Sequence, residues 1–236
     1  VERTLLHADL VDNTFFCAPG MWQLWRCGKC QSAYIDPRPT AQTVEKAYKN
    51  YYTHGSLDTK IDYQKLGRIA KIRRYLSNGF TRKRYACPDE PASVLGYYLA
   101  CFFPILRRIP DRIFRNIPRP ESGKNRLLDI GCGEGGFLLL AKTCGWDVQG
   151  IDPDPVAVSV AQSKGLNVSV ADEGYFANQT EIFDVITLSH VIEHVHAPKR
   201  TIERCFNLLK PGGFLWIETP NINGFGHQDF DRNWRG

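Results

Sequence analysis

The chain has 236 residues, 43% hydrophobic and 23% charged, with 20 glycines and 14 prolines, which excludes a collagenous, low-complexity or wholly disordered protein. Its net charge of +5 is unevenly divided: residues 1–120 carry 20 Lys and Arg against 10 Asp and Glu, whereas residues 121–236 carry 10 against 15. The two halves therefore read as units of different character.

Val1 stands first and Met21 is the sole methionine, so the chain reads as a processed protein or a piece of a longer one. No basic start followed by an apolar run marks a secretory leader. Eight cysteines in a chain of this size are expected to be reduced thiols in a cytoplasm, with Cys27 and Cys30, spaced C-x-x-C, set aside as candidate metal ligands. Residues 1–55 are rich in proline and aromatics and show no sustained periodicity before Thr40. That hydroxyl is expected to cap a short helix over 41–52, with Val44, Ala47, Tyr48 and Tyr51 on one side.

Residues 60–86 are predicted to form a basic helix whose apolar side is Leu66, Ile69, Ile72 and Leu76. Its cations (Arg68, Lys71, Arg73, Arg74, Arg82, Lys83 and Arg84) read as a solvated face, since no RNA-binding module accompanies them; nucleic acid is not an expected partner. The apolar stretch 94–106, VLGYYLACFFPIL, falls short of the ~20 residues a spanning helix requires. A buried or covering helix is expected there. Docking on a membrane surface is the alternative, because Arg107, Arg108, Arg112 and Arg115 follow. Residues 118–125 read as a linker.

Beyond Lys124 the pattern becomes strands at 126–130, 147–151, 167–170, 183–188 and 214–218, interleaved with helices at 134–144, 155–164 and 198–209. Alternation of this kind implies βαβ units, an α/β fold and a parallel sheet with right-handed crossovers. The expected division is a cysteine-knuckle region at 1–55, a basic helical region and linker at 56–120, and the α/β core at 121–236.

The strongest local signal is Asp129-Ile130-Gly131-Cys132-Gly133-Glu134-Gly135-Gly136 between a strand and a helix. Glycine lets a backbone turn sharply and approach a ligand, and the helix start offers free N–H groups. Asp152 ends the next strand, where a carboxylate can accept from both hydroxyls of a ribose. Gly131, Gly133 and Gly136 satisfy G-x-G-x-x-G, so a nicotinamide coenzyme is the rival. Asp129 opposes that rival: a negative charge beside the turn suits a cofactor bearing an ammonium and a sulfonium and repels a pyrophosphate. Asp172, after the third strand, is placed to accept from an adenine amino group.

Four ordered segments, LLDIGCGEGG (127–136), GIDP (150–153), FDVITLSHVIEHV (183–195) and LLKPGGFLWIETPN (208–221), resemble class I S-adenosylmethionine-dependent methyltransferases. The resemblance spans about residues 124–236. It implies a Rossmann-like, doubly wound and mostly parallel sheet of order 3-2-1-4-5. It also implies that Asp129, Gly131, Cys132 and Gly133 border the methionine part of S-adenosylmethionine, that Asp152 and Pro153 hold the ribose and Asp172 the adenine edge, and that Ser189 and His190 lie near the methyl group. The family's sheet has seven strands and five are countable here, which adds to the expectation of a chain cut at both ends.

Residues 25–30 and 36–52 resemble the zinc-ribbon lead of bacterial methyltransferase-domain proteins. That pattern needs two C-x-x-C pairs, because four thiolates close a structural zinc site; only Cys27 and Cys30 are present.

Methyl transfer from a sulfonium needs alignment, and a base only when the acceptor loses a proton. His190, Glu193 and His194 are the catalytic candidates, with His190 and His194 facing Glu193 if the segment forms a helical turn. His190-Val191-Ile192-Glu193-His194 also matches the H-x-x-E-H zinc-protease pattern, a decoy because it begins at the end of a strand. The expected reaction is methylation of a small-molecule or saccharide acceptor, at oxygen. A non-catalytic cofactor- or partner-binding module and an RNA methyltransferase are the alternatives.

Overall fold

The computed structural model describes residues 2–12, 16, 18–40 and 66–234. It divides into two compact units, Val1–His54 with Thr219–Gly236, and Gly55–Glu218. Residues 56–120 thus fall with the α/β core and 219–236 with the N-terminal region, a grouping different from the three-part division expected from composition.

The second unit is built on a parallel sheet of five strands: β4 (Arg126–Ile130), β5 (Asp147–Asp152), β6 (Asn167–Val170), β7 (Phe183–Ser189) and β8 (Leu209–Glu218). Their spatial order is β6-β5-β4-β7-β8, which is the 3-2-1-4-5 order of a doubly wound Rossmann-like sheet. The strands are apolar on both faces, as a sheet covered on both sides must be. Leu127 and Val185 join one buried cluster with Leu138, Val158 and Ala161, whereas the adjacent Leu128 and Ile186 join another with Phe176, Cys205 and Leu208. The period-two alternation of strand side chains feeds both layers.

The sequence-predicted helices lie within a residue or two of 134–144, 155–164 and 198–209: α4 is Gly136–Thr143, α5 Pro155–Ser163 and α6 Pro198–Leu208, numbered after the three helices below. Asp154 caps α5 by accepting from the Val156 amide at 2.8 Å, with Pro155 in the first turn. Strand β8 begins five residues before the expected 214, because Leu209 already pairs with Phe183 and a register shift carries the Lys210–Gly213 bend inside the strand.

Ahead of the sheet lie α1 (Arg68–Tyr85), α2 (Val94–Phe102) and α3 (Arg108–Ile113). The apolar side expected for α1 is not the buried one: Ile69 is 77% exposed and Ile72 59%. Asn78, Gly79, Phe80, Thr81 and Tyr85 are buried instead. Close approach decides this. A Cβ on Gly79 would collide with the Ser93 backbone and one on Gly96 with the Leu76 carbonyl, so small residues bring α1 and α2 together. The apolar stretch 94–106, expected as a buried or covering helix, covers α1 through one face and is not buried along its length. Only Gly96 and Ala100 of α2 are buried, while Val94, Leu95, Tyr98, Phe102, Phe103, Ile105 and Leu106 are exposed. No helix among the described residues is long and apolar enough to cross a membrane.

The first unit holds an antiparallel sheet of β1 (Arg3–Leu10), β2 (Trp22–Cys27) and β3 (Ala33–Asp36), in a stretch where no strand was expected. After β8, the helix α7 (Phe225–Phe230) belongs to this same unit. The helix expected over 41–52 lies outside the described residues.

Candidate functional site

Where β4 ends, the chain must reverse over the edge of the sheet, and glycine permits it. Gly131, Gly133 and Gly135 have φ of 71°, 52° and 78°, the left-handed region that costs other residues about 1–2 kcal/mol. The turn is stitched to β5: the amides of Gly131 and Cys132 donate to the Ile151 carbonyl at 2.8 and 3.2 Å. Gly133 N–H donates to Asp152 Oδ2 at 2.7 Å, and Asp154 N–H to Asp152 Oδ1 at 2.9 Å. Asp152 is thereby fixed beneath the turn at the carboxyl end of β5. Its pKa is raised by burial, against which the Asp154 and Gly133 amides pull it down. Pro153 is exposed beside it. A Cβ on Gly133 would meet no atom within 4 Å, so the backbone there faces open space.

Asp129 differs from expectation. It is fully buried, and Arg115, whose side chain is 13% exposed, forms an ion pair with Asp129 Oδ1. Thr187 Oγ1 donates to the same oxygen at 2.8 Å, and Arg115 also reaches Thr187 Oγ1 at 3.0 Å. The guanidinium lies over the Phe137 ring at 3.8 Å and 5.3 Å from that of Trp216. The bare negative charge expected beside the turn is therefore a compensated pair, because a carboxylate in this interior requires a partner. Asp129 Oδ2 is buried and has no hydrogen-bond partner among the described residues. Sequence reasoning gave Arg115 a part only in the alternative of membrane docking; a buried acid at a strand end, demanding a cation, was the signal available.

Cys132 is buried behind the turn, its thiol pKa pushed up by burial and then by the charges of Asp129 and Asp152. Asp172 is exposed after β6, where its Oδ1 caps a 3-10 turn by accepting from Gly174 N–H at 2.8 Å. Glu134 pairs with Lys164 at 3.6 Å, which ties the glycine turn to the end of α5.

The neighbouring strand end carries the reactive side chains. Ser189 Oγ lies 3.3 Å from Glu218 Oε2, and His190 N–H donates to the Glu218 carbonyl at 2.9 Å. Residues 190–197 form a non-helical turn rather than the helical turn expected, with His190 at φ 53°. The trio nevertheless converges. Glu193 Oε1 stands 3.4 Å from His190 Nδ1 and 4.0 Å from His194 Nε2, and both rings are exposed. A zinc-protease site needs these histidines on a helix, which is absent here.

Cys27 closes β2 and Cys30 is exposed in the turn that follows, its thiol pKa lowered mainly by hydrogen bonding to Ser32. No third ligand joins this pair among the described residues.

The family model of a methyltransferase domain matches residues 102–236. The ubiquinone biosynthesis O-methyltransferase of Paraburkholderia phymatum is 39% identical over 109 residues, 43% of this chain and 47% of that relative. The protein of the same name from Xanthomonas oryzae pv. oryzae is 40% identical over 103 residues, 41% of this chain and 43% of its own length. The chain thus spans about half the length of the curated relatives it matches. Among solved structures, an S-adenosylmethionine-dependent methyltransferase from Mesorhizobium loti aligns at 26% identity and a TM-score of 0.39, covering 46% of this chain and 51% of that one. One from Archaeoglobus fulgidus aligns at 24% identity and a TM-score of 0.44, covering 66% and 65%.

Proposed function

Since this chain belongs to the methyltransferase-domain family whose model spans residues 102–236, we propose that it binds S-adenosylmethionine at the glycine turn and directs methylation of a hydroxyl oxygen on a small molecule. The observation that carries this reading is the 2.7 Å bond from Gly133 N–H to Asp152 Oδ2, which locks an acid and a Cβ-free backbone into one cradle. The cradle fits the cofactor's chemistry. Open space lies at Gly133, carboxylate lone pairs remain for ribose hydroxyls on Asp152, and Asp172 is exposed for the adenine edge. Asp129 and Arg115 together offer an acceptor and a donor to the zwitterionic methionine end, a better match than the lone acid the motif suggested.

Bound S-adenosylmethionine supplies an electrophilic methyl on a sulfonium, already activated for in-line displacement. What remains for the protein is alignment and proton removal. Glu193 Oε1, 3.4 Å from His190 Nδ1, would favour the tautomer protonated there and leave Nε2 to accept a proton from an acceptor hydroxyl. His194, at 4.0 Å from the same carboxylate oxygen, is the weaker base candidate. Ser189 sits at the strand end beside His190, where it would border the methyl group of the cofactor when bound.

The names of the curated relatives support oxygen as the acceptor atom. We take the acceptor to be a small phenol-like or saccharide hydroxyl and the working compartment to be the cytoplasm. A second role attaches to 94–113: its exposed apolar side chains, with Arg107, Arg108 and Arg112 among them, suit contact with an anionic membrane surface that would present a lipid-borne acceptor.

Calorimetry with S-adenosylmethionine and S-adenosylhomocysteine tests the binding, and transfer of a labelled methyl to catechol and sugar panels tests the reaction. Absence of cofactor binding defeats the proposal. Binding without transfer to any acceptor supports a non-catalytic module instead.

A further inference from the structure

Within the first unit, β1 and the segment around α7 bring together three side chains of metal-binding type. His7 Nε2 lies 2.9 Å from His227 Nε2, with the rings edge-on at a centroid distance of 5.2 Å. Asp231 Oδ1 stands 3.7 Å from the same His7 nitrogen. The three ligand atoms all lie within 4.8 Å of one another, the sole such group of His, Cys, Asp and Glu among the described residues. Other contacts hold the segment in place. Trp234 packs on His227 at 5.4 Å, and Arg232 donates to the Asp9 carbonyl at 3.1 Å.

Two imidazole nitrogens pointing at each other must share something. A single proton between them satisfies that pair and leaves the exposed Asp231 carboxylate, 3.7 Å from His7 and beyond hydrogen-bond reach, to solvent. A divalent cation satisfies all three. With metal–nitrogen and metal–oxygen bonds of about 2.0–2.2 Å, a tetrahedral ion separates its ligand atoms by roughly 3.3–3.6 Å. The observed 2.9 and 3.7 Å bracket that value and the third separation is no more than 4.8 Å, so side-chain rotation can bring all three into range. Two imidazoles and one carboxylate suit zinc and its neighbours, not magnesium or calcium, which require oxygen ligands, nor copper(I), which prefers thiolates.

We propose that His7, His227 and Asp231 form a binding site for a divalent transition-metal ion of the zinc class, with three protein ligands and one open position. The ion would clip β1 to residues 220 positions further along the chain, a closure that stabilises this unit when loaded. It shares no residue with the cofactor cradle or with the cysteine pair.

The test uses the whole chain, Zn²⁺ by calorimetry and Co²⁺ by visible absorption. The expected result is one ion bound with imidazole–carboxylate bands and no thiolate charge-transfer band. His7→Gln and His227→Gln should each weaken binding by at least about 100-fold, the upper end of what losing even an outer partner costs. Asp231→Asn should cost about 10-fold; its side chain is 73% exposed, so this change leaves folding intact and keeps the test decisive if a histidine variant fails to fold. Cys27→Ser/Cys30→Ser should bind as the parent does. No ion bound, affinity unchanged by Asp231→Asn, or a cobalt spectrum dominated by thiolate and lost in the cysteine variant would each overturn the proposal.

Discussion

The glycine turn after β4 and the histidine turn after β7 sit at the same edge of one sheet, yet they are built in opposite ways. The first is buried and over-determined: Asp129 and Asp152 are each held by several donors, and the backbone itself is pinned to β5. The second displays exposed imidazoles around one carboxylate with longer contacts. The first turn is shaped to hold something, whereas the second presents exposed imidazoles beside a carboxylate. Substitutions in the first should therefore cost folding or cofactor affinity, and those in the second should cost rate.

Arg115→Leu breaks the first region hardest. It leaves a buried carboxylate at Asp129 without its cation, a loss of about 3–5 kcal/mol by urea unfolding. Arg115→Leu/Asp129→Leu should recover most of it; no recovery would mean that Arg115 acts elsewhere. His190→Gln sharpens the contrast from the other side. Turnover should drop about 100-fold while the calorimetric Kd for S-adenosylmethionine stays within twofold of the parent. Equal losses in both would place His190 in the binding surface instead.

Gly131→Ala should cost about 1–3 kcal/mol, because φ is 71° and its Cβ would run into Val191 Cγ2, which links the two turns directly. Trimming the obstacle with Val191→Ala should return part of that stability. The smallest effect is on pH. Burial raises the Asp152 pKa, so as pH falls the carboxylate gains its proton before an exposed aspartate would. Affinity for S-adenosylmethionine should weaken about 10-fold over that range, a contact worth about 1.4 kcal/mol. Asp152→Asn should bind weakly throughout and show no such dependence.

Legibility followed the same divide. β4, β5, β6 and β7 lie within a residue of expectation because apolar runs, the glycine cluster and the Asp154-Pro155 start are local signals. The residues of the histidine trio were equally visible, although their helical turn was not correct. What could not be read were pairings across distance. β1 has no buried residue and no clean alternation, so its strand character comes from hydrogen bonding to β2 alone. Arg115 carries no motif, and its role appears only once Asp129 is seen to be buried. The buried face of α1 depends on Gly79 and Gly96 meeting another helix, where hydropathy periodicity has no bearing.

The guanidinium of Arg115, lying 3.8 Å over Phe137 and 5.3 Å from Trp216, gives the molecule a built-in optical gauge. Indole emission responds to a nearby cation, so any ligand that draws Arg115 toward itself alters the Trp216 signal at the moment of arrival. Trp216, one of five tryptophans in the chain, stands 5.3 Å from that guanidinium. Subtracting a Trp216→Phe trace from that of the parent would isolate its light and turn a stopped-flow record into a clock for cofactor entry.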